Sequence, residues 1–398
     1  MAAPFQWSLA ALETLMAEGQ MDQHAAVLRG FSVVELWRLR RVCRAFDRWC
    51  TSRLSKLSRP LSVGGLVGED DDGLDEATGV VEHLDLSTMR WASGGAVPAL
   101  PTPRCWHTVC AFGGRVVTIG GESPEYGENA DELSQTALRW ERGGAAWTPL
   151  PDVLQARKDA ASVGLADGRA MLIGGLETGH DDDDIEQRPL ASVEALAADG
   201  SGWSDLTPMG TSRLGPAATV LPCGKVLVAG GRGTDGPGSV LRTAEVWDPA
   251  TGSWSDLPPM ICERWNAGAC VLPSGRIAVV GGMGGDGTDR ADGEVFDQQT
   301  QTWQPLPPMA HGRIRHGVAA VAGGMLAVGG DDELGNPNVP NELFDEASGR
   351  WFALPHAMVQ PRAVTRLVSL PAAALAPPAP AAGGGEGGGG AAAAAAAD

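Results

Sequence analysis

Apolar residues along most of this chain come in short runs, broken by glycine, proline and small polar residues. A small-residue stretch such as AGACVLP (267–273) meets a turn at Ser274-Gly275. An apolar run, RIAVV (276–280), follows and ends in a glycine pair. After a loop comes an alternating segment such as AEVWDP (244–249), then a turn and a stretch ending LPPM (257–260). Continuous apolar runs suit strands covered on both faces, whereas alternation suits a half-exposed strand. The pattern therefore predicts antiparallel units of four strands. Residues 31–59 have another period. Leu36, Leu39, Cys43, Phe46 and Cys50 fall at steps of 3, 4, 3 and 4, flanked by Val42 and Trp49. That spacing predicts an amphipathic helix. Ser32 is its expected N-cap, with Glu35 placed for a capping box.

The strand pattern repeats in register. Gly-Gly recurs at 64, 120, 174, 230, 281 and 329. A tryptophan recurs at 91, 147, 203, 254, 303 and 351, and an arginine at 104, 157, 213, 264, 313 and 362. Arginine to the next glycine pair is 16 or 17 residues in each complete case. A glutamate stands nine residues before each tryptophan except Trp147, where Leu138 replaces it. Gly-Gly to tryptophan varies from 22 to 29, so the length changes fall in one exposed loop. Tryptophans at this spacing are expected to fill the space between sheets. The arginines are expected to bond carbonyls between neighbouring units.

Six four-stranded units with a period near 50 are what a β-propeller needs. Gly-Gly, the Glu-x-aromatic-Asp strand and the tryptophan at this spacing resemble kelch repeats over residues 60–371. The resemblance implies an all-β fold, a six-bladed kelch β-propeller. The strand aromatic is Trp247, Phe296 or Phe344, with Leu84 in the first unit. The first Gly-Gly, in LSVGG (61–65), has no arginine strand before it, and the last arginine strand has no Gly-Gly after it. Residues 363–370 are therefore expected to supply the first strand of the blade continued by 61–95.

Residues 1–59 read as a small helical module. From Arg29 to Arg59 there are nine basic residues against Glu35 and Asp47. Phe31-Ser32, Leu36, Leu39 and Val42-Cys43-Arg44 with Phe46 resemble the second half of an F-box; its first helix would come from 10–30. The resemblance implies docking to the acidic adaptor of a cullin–RING ubiquitin ligase through Phe31, Leu36, Leu39, Val42, Phe46 and Trp49, with the basic balance assisting. The alternatives are a helical cap packed on the propeller and a helix lying on an anionic membrane.

The net charge is −19, which argues against a general binder of nucleic acid or anionic membrane. Six loops after the glycine pairs (66–79, 122–135, 176–191, 232–243, 283–293 and 331–341) carry a summed charge of −20. The densest run is Asp181, Asp182, Asp183 and Asp184. A propeller places equivalent loops on one face, so a basic peptide or protein is the expected substrate there, against the alternative of a solvated rim. The same face is expected to expose the residues just after each repeat arginine. In peptide-binding kelch propellers an arginine two beyond it contacts acidic ligands; here those positions are Trp106, Asp159, Gly215, Asn266, Arg315 and Val364, of which only Arg315 matches. Trp106, Asp159, Asn266 and Arg315, with the adjacent His316, are the candidate contacts.

Catalytic chemistry is not expected. Tyr126 is the only tyrosine, which disfavours the copper oxidases of kelch-like fold, and the seven histidines show no ligand spacing. MGGDGTDRADG (283–293) resembles a calcium loop but lacks the EF-hand's ordered ligands. No cofactor or metal is expected, and a sugar epimerase of this fold is the enzymatic alternative. Seven cysteines without a CxxC pair, no basic leader and no long apolar run point to the cytoplasm or nucleus. Residues 372–398, rich in alanine and glycine, read as a flexible tail.

Overall fold

A computed structural model describes residues 31–41, 44–69, 75–122, 135–177, 188–234, 239–332, 335, 337 and 339–375. Six four-stranded antiparallel sheets form the blades of a propeller. Their innermost strands are Arg366–Leu370, Thr108–Phe112, Ala161–Gly164, Ala217–Val220, Gly268–Val271 and Gly317–Val321, numbered here as blades 1 to 6. Each touches the next, and Gly317–Val321 and Thr108–Phe112 both touch Arg366–Leu370, which closes the ring. In blade 1, Arg366–Leu370 pairs with Arg59–Glu69, with Arg59 opposite Leu370 and Val63 opposite Arg366. Asp75–Asp85 and Arg90–Ser93 complete that sheet. One sheet thus joins the two ends of the propeller.

Second strands such as Val226–Ala229 and Ile277–Val280 are buried throughout, as their unbroken apolar runs require. The third strands depart from expectation. Alternation implied half exposure, yet Val193–Leu196 and Glu342–Asp345 are buried along their length. Their polar positions face inward because each holds a glutamate paired to the repeat arginine of its own blade. Fourth strands such as Ser253–Leu257 are the exposed ones.

The six repeat arginines are 0–2% exposed. Each donates from Nη1 to the carbonyl of the first glycine of its own blade's pair: Arg213 to Gly230 at 2.7 Å, Arg264 to Gly281 at 2.9 Å, Arg362 to Gly64 at 3.2 Å. Arg157, Arg213, Arg264, Arg313 and Arg362 also pair with Glu194, Glu245, Glu294, Glu342 and Glu82. Arg104, opposite Leu138, donates to Gly120 and to the Thr136 hydroxyl, both at 3.2 Å. The side chains therefore bind within a blade, not between blades as expected. The arginine backbone makes the link between blades: Gly231 N–H donates to Arg264 C=O at 2.9 Å and Gly282 N–H to Arg313 C=O at 2.9 Å. Gly230 shows why glycine is required. Its φ is +68° and a Cβ would lie 2.2 Å from the Arg264 oxygen.

The tryptophans bridge blades through their indole N–H. Trp147, Trp203, Trp254, Trp303 and Trp351 donate to Pro98, Pro151, Thr207, Pro258 and Pro307 of the preceding blade, at 2.7–2.9 Å. Trp91 differs: its buried Nε1 has no partner among the described residues, and its ring joins an apolar cluster beneath the helical cap. Ala372–Leu375 forms a short 3-10 turn whose Ala374 packs into the cluster shared by blades 1 and 2.

Candidate functional site

The connection from each fourth strand to the next first strand runs over the same end of the propeller as the loops after the glycine pairs. On it, two residues beyond the repeat arginine, the backbone turns left-handed in all six blades. The φ values are +56° at Trp106, +51° at Asp159, +58° at Gly215, +52° at Asn266, +58° at Arg315 and +49° at Val364. Five of these are not glycine, which marks an imposed conformation. Backbone bonds between blades impose it. Asp159 N–H donates to Trp106 C=O at 2.8 Å, Gly215 to Asp159 at 3.0 Å, Asn266 to Gly215 at 2.9 Å, Arg315 to Asn266 at 3.2 Å, and Thr365 to Arg315 at 3.0 Å. The structure thus brings the six positions into one ring around the axis.

Several of the described charges in this mouth are paired. The Arg315 guanidinium lies 5.2 Å from the Trp106 ring centre and 3.2 Å from Asp331 Oδ2. Lys158 Nζ lies 2.5 Å from Glu122. Arg366 reaches across to Asp159 Oδ1 at 2.9 Å and donates to the His107 carbonyl at 2.8 Å. Below the ring is a polar cavity of about 100 Å³, lined by Asp159, Asn266, His316 and Arg366 among others. Asn266 is 4% exposed and Asp159 3%, so they line this cavity more than the outer face; Trp106 and Arg315 are half-buried. His316 is buried, correcting its expected place on the substrate face. It and His107 occupy equivalent positions, three beyond a repeat arginine. Burial, with Arg313 and Arg366 for His316 and Arg104 and Arg366 for His107, lowers both imidazoles to about 3, so both are neutral at physiological pH.

Asp181, Asp182, Asp183 and Asp184 lie outside the described residues. Of the acidic loop residues that are described, Glu122, Asp292 and Asp331 pair with Lys158, Arg264 and Arg315, which offsets part of the loop charge. The calcium-like loop closes on itself, Asp286 Oδ1 accepting from the Thr288 hydroxyl at 2.8 Å while Arg290 pairs with Glu263 at 3.0 Å. Among the described residues no group of three or more His, Cys, Asp or Glu is placed to hold a metal ion.

Sequence reasoning missed two features. Arg366, four beyond the last repeat arginine, reaches from blade 1 to Asp159 of blade 3; its charge inside a first strand was the available signal. Leu154, Ile261 and Val359 are 56%, 52% and 61% exposed and sit three residues before the repeat arginines of blades 3, 5 and 1. The equivalent positions in blades 2, 4 and 6 hold Pro101, Gly210 and Ala310. Their backbones are fixed by the blade glutamates, which accept from Leu154 N–H at 2.8 Å, Ile261 at 2.6 Å and Val359 at 2.8 Å. Three apolar side chains are thereby held out on the mouth face.

The helical module forms two helices rather than one, α1 (Val33–Leu39) and α2 (Arg44–Leu54). The capping box is present, with Glu35 N–H donating to Ser32 Oγ at 3.1 Å and Ser32 N–H to Glu35 Oε2 at 2.8 Å. The helices cap the propeller end opposite the mouth. Val33 N–H donates to Ala322 C=O at 2.9 Å and the Trp37 indole to Leu86 C=O at 2.9 Å. Leu36, Cys50 and Leu54 are buried in one cluster with Leu84, Trp91, Val321 and Leu326. Phe46 is 1% exposed; Phe31, Leu39 and Trp49 are partly buried and pack against the same cluster. Val42 lies outside the described residues, as do 10–30. Leu36 and, in part, Phe31, Leu39 and Trp49 thus have apolar surface committed to the propeller in this conformation, because an amphipathic helix beside an apolar blade edge buries that face.

The Kelch motif matches residues 213–260 and 266–310. The chain is 29% identical over 214 residues to Kelch-like protein 34 of Homo sapiens, covering 52% of this chain and 32% of that protein. It is 34% identical over 154 residues to F-box/kelch-repeat protein At2g44130 of Arabidopsis thaliana (38% and 35%). It is 30% identical over 185 residues to Kelch repeat and BTB domain-containing protein 12 of Danio rerio (44% and 30%). The chain spans about a third of the length of these relatives. A solved structure of YjhT superposes with a TM-score of 0.57 at 15% identity, covering 68% of this chain and 89% of that one, a likeness of fold. The chain carries kelch repeats and forms a six-bladed β-propeller.

Proposed function

We propose that this chain is a non-enzymatic protein-interaction receptor. Its loop-bearing face takes a basic peptide or protein, and its helical cap joins it to the acidic adaptor of a cullin–RING ubiquitin ligase. The observation that carries the receptor reading is the mouth: a rigid ring whose six positions differ in chemistry, surrounded by three apolar side chains held exposed. Apolar anchors within a polar rim are what protein interfaces use. The loop charge of −20 favours a basic partner. The ligase reading draws support from the basic helical segment and from the likeness to a protein named for its F-box and kelch repeats.

Burial of the cap's apolar face favours a second reading, a kelch scaffold without ligase association. Capture of partners by the full chain at two salt concentrations tests the receptor mechanism. Weaker capture at high salt is expected, and capture indifferent to salt removes the acidic-face mechanism. Co-purification tests the ligase reading: recovery of an adaptor–cullin complex supports it, and failure leaves the scaffold.

A further inference from the structure

The cap turns its apolar side to the propeller and a basic side outward. Arg38, Arg41, Arg44, Arg48 and Lys56 are exposed and have no carboxylate partner among the described residues. Between α1 and blade 6 lies an open groove of about 250 Å³. Val34, Met89, Leu343 and Phe352 give it an apolar floor, and Arg38 and Arg41 stand at its rim. The Arg38 and Arg350 guanidinium carbons lie 5.4 and 5.8 Å from the Phe352 ring centre, so the aromatic floor carries positive charge on its flank. The groove is smaller than the roughly 300–1,000 Å³ of small-molecule sites and suits one side chain.

We propose that this surface docks an acidic segment of a partner protein that bears one bulky apolar side chain. The apolar group fills the groove, and flanking carboxylates meet Arg38, Arg41 and the cations of α2. Charge complementarity selects this occupant. Nucleic acid or an anionic membrane would meet repulsion from a chain of net charge −19, whereas a short acidic segment reaches only the basic side. The proposal rests on reading the cap as a docking module, but it moves the contact from the buried apolar residues to the outward arginines and the groove beside them.

The test uses the full chain and two labelled glutamate-rich peptides, one with a central leucine and one with alanine there, followed by fluorescence anisotropy in low and high salt. The leucine peptide should bind about tenfold more tightly than the alanine peptide, with both weakened by salt. Arg38→Glu with Arg41→Glu should weaken both by about tenfold or more. Ala353→Trp, which fills the groove without changing charge, should abolish only the difference between them. These positions are at the surface, and an unchanged thermal melt shows that the variants fold. Equal binding of the two peptides, or unchanged binding by the arginine variant, overturns the proposal. Self-association of the wild type that the arginine variant loses would assign the surface to the acidic loops of a second copy, and would equally overturn it. Failure to recover a ligase adaptor removes the ligase reading alone, since the peptide titration contains no adaptor.

Discussion

At each repeat arginine a full positive charge sits in the protein interior, bonded to a glycine carbonyl and, in five blades, to a glutamate. Burial disfavours the charged guanidinium, as the lowered proton affinity of Arg157, Arg213, Arg313 and Arg362 reflects, while the carboxylate opposes that shift. Removing one partner strands the other. Glu245→Ala, which takes from Arg213 its carboxylate partner, should therefore cost about 3–5 kcal/mol, read by chemical denaturation. The buried histidines set a pH dependence of definite sign. Below about pH 6.5 an unfolded histidine binds a proton that His107 and His316 refuse until about pH 3. The unfolded state then holds more protons, so stability falls with acid across that window, by about 1.4 kcal/mol per pH unit for each histidine. Denaturation from pH 7 to 4 should show this slope, and His316→Asn should reduce it. The arginine-to-glycine register was legible because a fixed interval in sequence is a fixed bond in the blade. His316 was misplaced because periodicity says that a residue is equivalent to others, not whether its ring turns to solvent or to a neighbouring glycine.

Among the elements, Arg366–Leu370 and the two cap helices connect parts of the chain that are distant in sequence. The strand was legible as the missing member of an incomplete repeat, since an unpaired sheet edge must be covered. Deleting 362–371 removes that strand and Arg362, leaving Arg59–Glu69 as an open inner edge and Glu82 without its guanidinium. The melting temperature should fall sharply; an unchanged melt would mean that the ring does not depend on its closure. The cap was legible as an amphipathic stretch, with packing on the propeller among its expected roles, but not as two helices. A hydrophobic period shows that a face will be buried without showing against what. Leu36→Asp places a carboxylate in the cluster with Trp91 and Leu326 and should cost about 3 kcal/mol or more of stability. A loss of partner binding in that variant would accordingly have to be compared with its melt.

The whole molecule has unlike ends. Glu122, Asp292 and Asp331 and three exposed apolar residues stand at the mouth, and a basic helical cap occupies the other end. Serine at Leu154, Ile261 and Val359 together should reduce partner capture severalfold while moving stability by only about 0.5 kcal/mol per site, because these side chains are held in water. Six-fold architecture was readable from repeat spacing, but this alternation by blade was not singled out, because the anchors lie in the linkers rather than in the repeat's signature residues. The seam of blade 1 has a mechanical consequence. Arg59 and Leu370, where the chain enters and leaves the propeller, face each other at one end of an antiparallel ladder. Tension applied through the two ends of the chain, once the cap has lifted, would load the hydrogen bonds of that ladder one at a time rather than together. A fold closed on every side should open like a zip under small force at this seam, while pulling across any other blade would strain a whole sheet at once.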